Sequence, residues 1–233
     1  MDDSFIPPIT IEELRQPRRY DEFDHWVEGI IKGIPDSDAA KAWIRLDDRL
    51  GKRLREEVFP FRVLARSIFI GTDVRISFPA DNGNCDVLVD MNENGDCRQI
   101  RIELVSAIDG RDEKLRMEHL TREGTVSVFG GIQKVKIGPG KHNYAIEVQP
   151  AMARRDDIIR KSGELVSAAV DRKLRNTYPP GTWLVISFDP IRLPRASDYE
   201  PMAVIARERL RQSEFERAYL VGDSASGFCC QVK

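Results

Sequence analysis

The chain has 233 residues, with 36 Lys and Arg against 38 Asp and Glu. That length suits one large domain with an extension, and the near-cancelling charge excludes a molecule-wide field toward nucleic acid, anionic lipid or acidic substrates, so any such partner must be met by a local patch. No run approaches the ~20 apolar residues that span a bilayer, the start Met1-Asp2-Asp3 has no signal-peptide pattern, and Cys85, Cys97, Cys229 and Cys230 follow neither disulfide-scaffold nor CxxC spacing. The expectation is a reduced, cytoplasmic protein with no membrane partner.

In chain order, the residues through Pro7-Pro8 read as an arm. Phe23, Trp26, Val27, Ile30 and Ile31 then recur at helical spacing from Tyr20 to Gly33 and Pro35. A second helix is predicted from a cap at Asp36 or Ser37, with Trp43, Leu46, Leu50, Leu54 and Val58 on one face and Pro60 as its end. The two read as a helical hairpin and as a candidate partner or dimer surface. Strands follow at 68–70, 74–78, 87–89 and 100–105, and Asn94-Gly95 is a two-residue hairpin signal because both residues tolerate the positive φ of a type I′ turn.

Residues 109–122 read as a short helix, in which Asp109, Asp112 and Glu113 are capping residues rather than a metal loop. Two strands, 131–137 and 144–148, are joined by Gly138-Pro139-Gly140 as a second hairpin. The clearest helix runs from about Arg154 to Thr177 on the stripe Ile158, Ile159, Leu165, Val166, Ala169, Val170 and Leu174, and ends at Pro179-Pro180-Gly181. Residues 183–188 form a nearly unbroken apolar run, the pattern of a strand covered on both faces. A last helix opens at Pro201, and 218–221 is one more buried strand. The order predicts an α/β fold with an antiparallel meander continued by parallel crossovers. Residues 1–35 are expected to be an arm and helix packed on the core, and 36–233 a single α/β domain.

The first hairpin carries the chemistry. With Asn94-Gly95 as the turn, Val87 faces Ile102, Val89 faces Ile100, and Asp86 lies opposite Glu103. Two opposed carboxylates repel unless a cation or a shared proton lies between them, which motivates a divalent-metal site. A turn slipped to Glu93-Asn94 instead places Asp86 opposite Arg101 as an ordinary surface ion pair, and both registers remain open. His25, His119 and His142 lie on different elements without zinc spacing. Lys52, Arg53, Arg55, Arg62 and Arg66 form the densest basic stretch, and the acids around it favour a solvated helix face over a phosphate track. No phosphate loop, dinucleotide fingerprint or GxSxG elbow is present.

From about residue 40 to 221, with "NCDVLVD", "IRIELVSA" and "VSAAVDRKLRNTYPPGTWLVISF", the chain resembles the PD-(D/E)xK nuclease-like superfamily. The resemblance implies a restriction-endonuclease-like mixed sheet and a magnesium-dependent nuclease, with nucleic acid as partner. Residue by residue it makes Asp86 the first acid, Glu103 the second, and Glu56 or Glu57 the helix acid, while the lysine position is Val105. Lys173 on the following helix, or Gln149, stands in for that lysine. A rival alignment takes 144–149 as the third strand, so that Glu147-Val148-Gln149 becomes the motif and Glu103 the first acid. The alternative is a non-catalytic interaction or regulatory module in which the motif has degenerated.

Overall fold

The computed structural model describes residues 7–34, 37–47, 49–79, 85–93, 96–127, 129–140, 143–189, 193, 195–223 and 226–233. The chain enters through α1 (Ile11–Arg15), which a Thr10–Glu13 capping box begins. β1 (Arg18–Arg19) and α2 (Tyr20–Gly33) follow. α3 (Asp38–Leu46) is capped by the Ser37 hydroxyl, which accepts from the Ala40 N–H.

The expected single helix from 37 to Pro60 is replaced by a succession of four segments. At Asp47 the backbone turns extended, and the Asp47 carboxylate accepts from the Arg49 and Gly51 N–H groups, so one aspartate stops α3 and starts α4 (Leu50–Arg53). A π turn, Leu54–Val58, then leads into α5 (Phe59–Ile68). Pro60 therefore does not end the helix. Its ring would crowd the carbonyl four residues back in a regular α-helix, and the wider turn, in which the Phe59 N–H reaches Leu54 O, relieves that crowding. The strand expected at 68–70 is absent: α5 runs through Ile68, Phe69 caps it, and Ile70 is exposed.

β2 (Val74–Ser77), β3 (Val87–Glu93) and β4 (Asp96–Ser106) form the expected antiparallel meander. Asn94-Gly95 lies outside the described residues, but the register on either side of it, Glu93↔Asp96 through Val87↔Ile102, is the one a two-residue turn there dictates. The slipped register is excluded, since Arg101 faces Leu88. α6 (Gly110–Glu123) is capped by Asp109, whose carboxylate accepts from the Arg111 and Asp112 N–H groups, and it ends at Gly124 in the left-handed conformation.

β5 (Gly130–Lys136) and β6 (Tyr144–Pro150) pair only with each other, as a separate antiparallel ribbon against α6. This overturns the alignment that made 144–149 a strand of the main sheet. After α7 (Arg155–Lys173), β7 (Thr182–Ser187) pairs parallel to β4; α8 (Glu200–Leu210) leads to β8 (Arg217–Val221), parallel to β7, and β9 (Cys229–Gln231) closes antiparallel on β8. Among the described residues the main sheet has the order β1-β2-β3-β4-β7-β8-β9. The fold is α/β, a mixed sheet flanked by helices, and among the described residues no helix is long and apolar enough to cross a membrane.

Strand periodicity places two cores. Val87, Val89, Ile100, Ile102, Leu104, Trp183 and Val185 face α2 and α5, with Phe23, Phe61 and Phe78 in mutual ring contact at 5.6–5.8 Å. Val105, Leu184, Ile186, Ala218 and Leu220 face α7 and α8. β7 is buried on both sides, as its unbroken apolar run requires. α2 packs on α5, and α3 packs on α6 and α4, so the opening helices each find other partners rather than forming the expected two-helix hairpin. Arg62, expected on a solvated face, is 3 % exposed: it donates to Asp24 at 2.8 Å and also bonds Glu28, while Arg66 binds Asp24 at 2.6 Å and 2.9 Å.

Candidate active site

β4 alternates Ile100, Ile102 and Leu104 toward the first core, so Arg101, Glu103 and Val105 project to the opposite face. Asp86 sits one residue before β3, just past the last ladder pair Val87↔Ile102, and donates its backbone N–H to Ile102 O at 3.0 Å, which holds it beside Glu103. Its carboxylate is fixed by the chain itself: Oδ2 accepts from the Leu104 N–H at 2.7 Å. Two acids thus stand on a sheet face where apolar cover from α7 ends.

That helix delivers the cation. Lys173, in the last turn of α7, reaches Glu103 Oε2 at 2.6 Å and Asp86 Oδ2 at 3.5 Å. Arg172 anchors the same turn by donating to Ser106 O at 3.1 Å, at the end of β4. The Lys173 side chain is 17 % exposed, so the residue is an inward ligand of two carboxylates rather than a lysine lying along the edge of its stripe.

The electrostatics follow from burial and proximity. Burial pushes the Glu103 carboxyl above its usual range, with the Lys173 bond and charge opposing and the Asp86 charge reinforcing the rise. For Lys173, burial favours the neutral amine, but the Asp86 charge and the bond and charge of Glu103 outweigh it and hold the ammonium above its usual value. Glu57, brought in by the π turn, is also pushed up by burial, against the bond and charge of Arg53, from which it accepts at 2.8 Å.

A polar cleft of ≈ 470 Å³ adjoins these groups; Glu56, Glu57, Asp86, Val105 and Lys173 line it, while Glu103 is buried beside it and held by Lys173. The structure therefore brings together Asp86, Glu103, Lys173 and Glu57. It does not bring in Glu147 or Gln149, which lie exposed on β6, in the separate ribbon. Val105, at the position where the Glu-x-Lys pattern has lysine, packs in the second core and contributes a wall of the cleft. Sequence reasoning overlooked the role of Asp47 and Pro60 in shaping the turn that carries Glu56 and Glu57. The signal was present as an aspartate four residues before Gly51 and a proline two residues after Val58.

Carboxylate oxygens are the hard donors that magnesium or manganese takes, and magnesium is commonly held by one or two protein carboxylates, with water and phosphate completing its shell. Asp86 Oδ1 and Glu103 Oε1 carry no hydrogen bond among the described residues, which leaves one oxygen on each acid available. No three His, Cys, Asp or Glu side chains form a ready-made metal cage among the described residues. The donor set fits an ion held by two acids and completed by water or phosphate. No family model, curated protein or solved structure matches the chain.

Proposed function

We propose that the chain is a divalent-metal-dependent phosphodiesterase of the PD-(D/E)xK type, acting on nucleic acid, in which the lysine has moved from the strand to the following helix. The observation that carries this reading is the convergence of Lys173 from α7 with Asp86 and Glu103 across the β3–β4 hairpin. A lysine at position 105 would share the face of Glu103, two residues along β4; Lys173 brings the same charge to that face from a different element.

Asp86 and Glu103 are the residues that would hold magnesium, which when bound supplies charge neutralisation at a phosphoryl oxygen and a water of lowered pKa. Lys173 stays protonated at neutral pH, because the two acids hold its pKa up. It therefore serves as a fixed cation and hydrogen-bond donor that orients water and offsets developing negative charge, not as a base. Glu57, whose carboxyl burial pushes above its usual range, is the group on the cleft wall placed to exchange a proton.

A second reading has its own observation. Lys173 already neutralises both acids, so the same trio also works as an internal clamp in a non-catalytic interaction module. Thermal unfolding of wild type and Glu103→Ala, with and without millimolar Mg²⁺ or Mn²⁺, separates the two, because a ligand that binds only the folded state raises its stability. The phosphodiesterase reading expects a metal-dependent rise that Glu103→Ala abolishes, together with metal-dependent cleavage of an oligonucleotide that Lys173→Met lowers roughly 10²–10³-fold. An absent rise in both proteins leaves the clamp.

A further inference from the structure

The acid–lysine cleft is not closed. Lys52, Glu56, Ser106, Ile108 and Gly110 line it and also line a second, larger chamber of ≈ 950 Å³. This chamber lies at the carboxyl ends of the parallel strands β4, β7 and β8, marked by Ser106, Ser187 and Gly222, the edge at which open α/β sheets bind ligands. Its walls are mainly apolar: Ile34, Phe59, Met117, Leu120, Val126 and Phe188. The π turn partitions the two spaces, with Glu57 on the cleft side, Phe59 on the chamber side, and Lys52 and Glu56 on both.

We infer that the chamber takes an unstacked nucleobase of a single strand whose neighbouring phosphodiester lies in the acid–lysine cleft. This rests on the phosphodiesterase reading of that cleft. The chemistry selects the occupant. A phosphodiester seated between a divalent ion and Lys173 carries, one sugar away, a flat ring with stacking faces and polar edges, and the space contiguous with the cleft presents a mainly apolar surface with the half-buried ring of Phe59 and charged groups around it. Aromatic side chains accept bases by stacking regardless of sequence. Asp223, also on the chamber wall, is an acceptor for amino and imino N–H groups.

Bases in a duplex are paired and stacked inside the helix, so entry requires a single strand or an extruded nucleotide. The substrate class is accordingly unpaired nucleic acid. The cleft sets Glu56, Glu57 and Asp86 against Lys52, Arg172 and Lys173, so its charges nearly balance, and a divalent ion at the acids adds the positive charge that tightens phosphate binding.

The test measures fluorescence anisotropy of the full chain with three labelled probes in millimolar Ca²⁺: a 12-nucleotide thymidine strand, a 12-unit abasic strand with the same phosphates, and a 12-base-pair duplex. The thymidine strand is expected to bind at least tenfold tighter than either of the others. Phe59→Leu, which keeps an apolar group and removes the ring, is expected to weaken it roughly five- to hundredfold while leaving the abasic strand unchanged. Equal binding of the abasic strand or the duplex overturns the inference, as does an absence of binding by all three. If that failure accompanies an intact, Glu103-dependent metal stabilisation, the phosphodiesterase reading survives and only the base chamber is lost; if the metal stabilisation is missing too, both fall.

Discussion

Lys173 settles the question that the opposed pair Asp86 and Glu103 raises: like charges across a hairpin require a cation, and the protein carries its own. Removing it leaves two poorly solvated carboxylates side by side. Lys173→Met is therefore expected to destabilise the fold by about 3 kcal/mol, and adding Glu103→Gln to recover part of the loss, because the partner charge goes as well. Urea titration of the two single variants and the double variant measures that coupling, and strictly additive losses would show that the three groups are energetically separate. Asp24 is the opposite electrostatic case. Its bond to Arg66, with Arg62 adding a second bond and both guanidinium charges attracting it, holds its carboxyl down at about 2, against burial. A depressed acid stabilises the fold fully above its unfolded pKa and loses that stabilisation as pH falls through the folded value, so the wild type should lose stability between about pH 4 and pH 2 more steeply than Asp24→Asn. Parallel acid-denaturation curves for the two proteins would contradict this.

Among the elements, the π turn at Leu54–Val58 departs furthest from regular expectation, whereas the ribbon β5–β6 is the expected second hairpin, standing apart from the main sheet. The turn exists between two local constraints, Asp47 capping α4 through Arg49 and Gly51, and Pro60 forbidding a regular α-helical turn before it. Its consequence is positional, because it sets Glu57 on the cleft wall and leads Phe59 to the chamber wall. The ribbon depends on close backbone approach at its end. Gly130 has φ 98°, and a Cβ there would stand 1.8 Å from Gln149 O. Two-stranded ribbons have little stability of their own. Gly130→Ala should therefore loosen β5 and β6, lowering stability by roughly 1–3 kcal/mol. Hydrogen exchange is expected to accelerate in the ribbon and not in β4 or β7; unchanged exchange at Ile132 and Val148 would refute the dependence.

The whole molecule places its polar chemistry where two layers stop covering the sheet. Glu57 and Glu103 are both raised by burial, so their stabilising contribution is fully present below their unfolded pKa values and is lost as pH rises through the raised folded values. An ion that requires ionised carboxylates acts in the opposite direction. The melting temperature without metal should fall, and the increment produced by Mg²⁺ should grow, as pH rises past the usual glutamate range toward neutrality. Scans at several pH values with and without Mg²⁺ test this, and a pH-independent increment would place the ion away from both glutamates.

Much of this arrangement is legible in the order of residues. Alternation in 87–105, helical spacing in 154–174 and the unbroken apolar run of 183–188 report burial on one face, one stripe and two faces, and those periods are local properties of strands and helices. Counting along a ladder offers two registers for the β3–β4 hairpin, and the tertiary structure selects the one that sets Val87 opposite Ile102 and brings Asp86 beside Glu103. Helix interruption at Asp47, continuation through Pro60 and loss of the strand at 68–70 do not follow, because each reflects a contest between local propensity and packing, such as the stacking of Phe69 on Trp183 at 6.3 Å. The contest between β4 and β6 for the central position was also beyond local patterns: both alternate, and only partner strands distinguish a sheet interior from an isolated ribbon. By itself the sequence determined the long helix 154–174, the strands of both hairpins and the buried strand 183–188, and it singled out Asp86 and Glu103 as the candidate acids. Only the tertiary structure decided which cation meets them, since Lys173 lies 70 residues from Glu103 and their meeting depends on where α7 ends over β4.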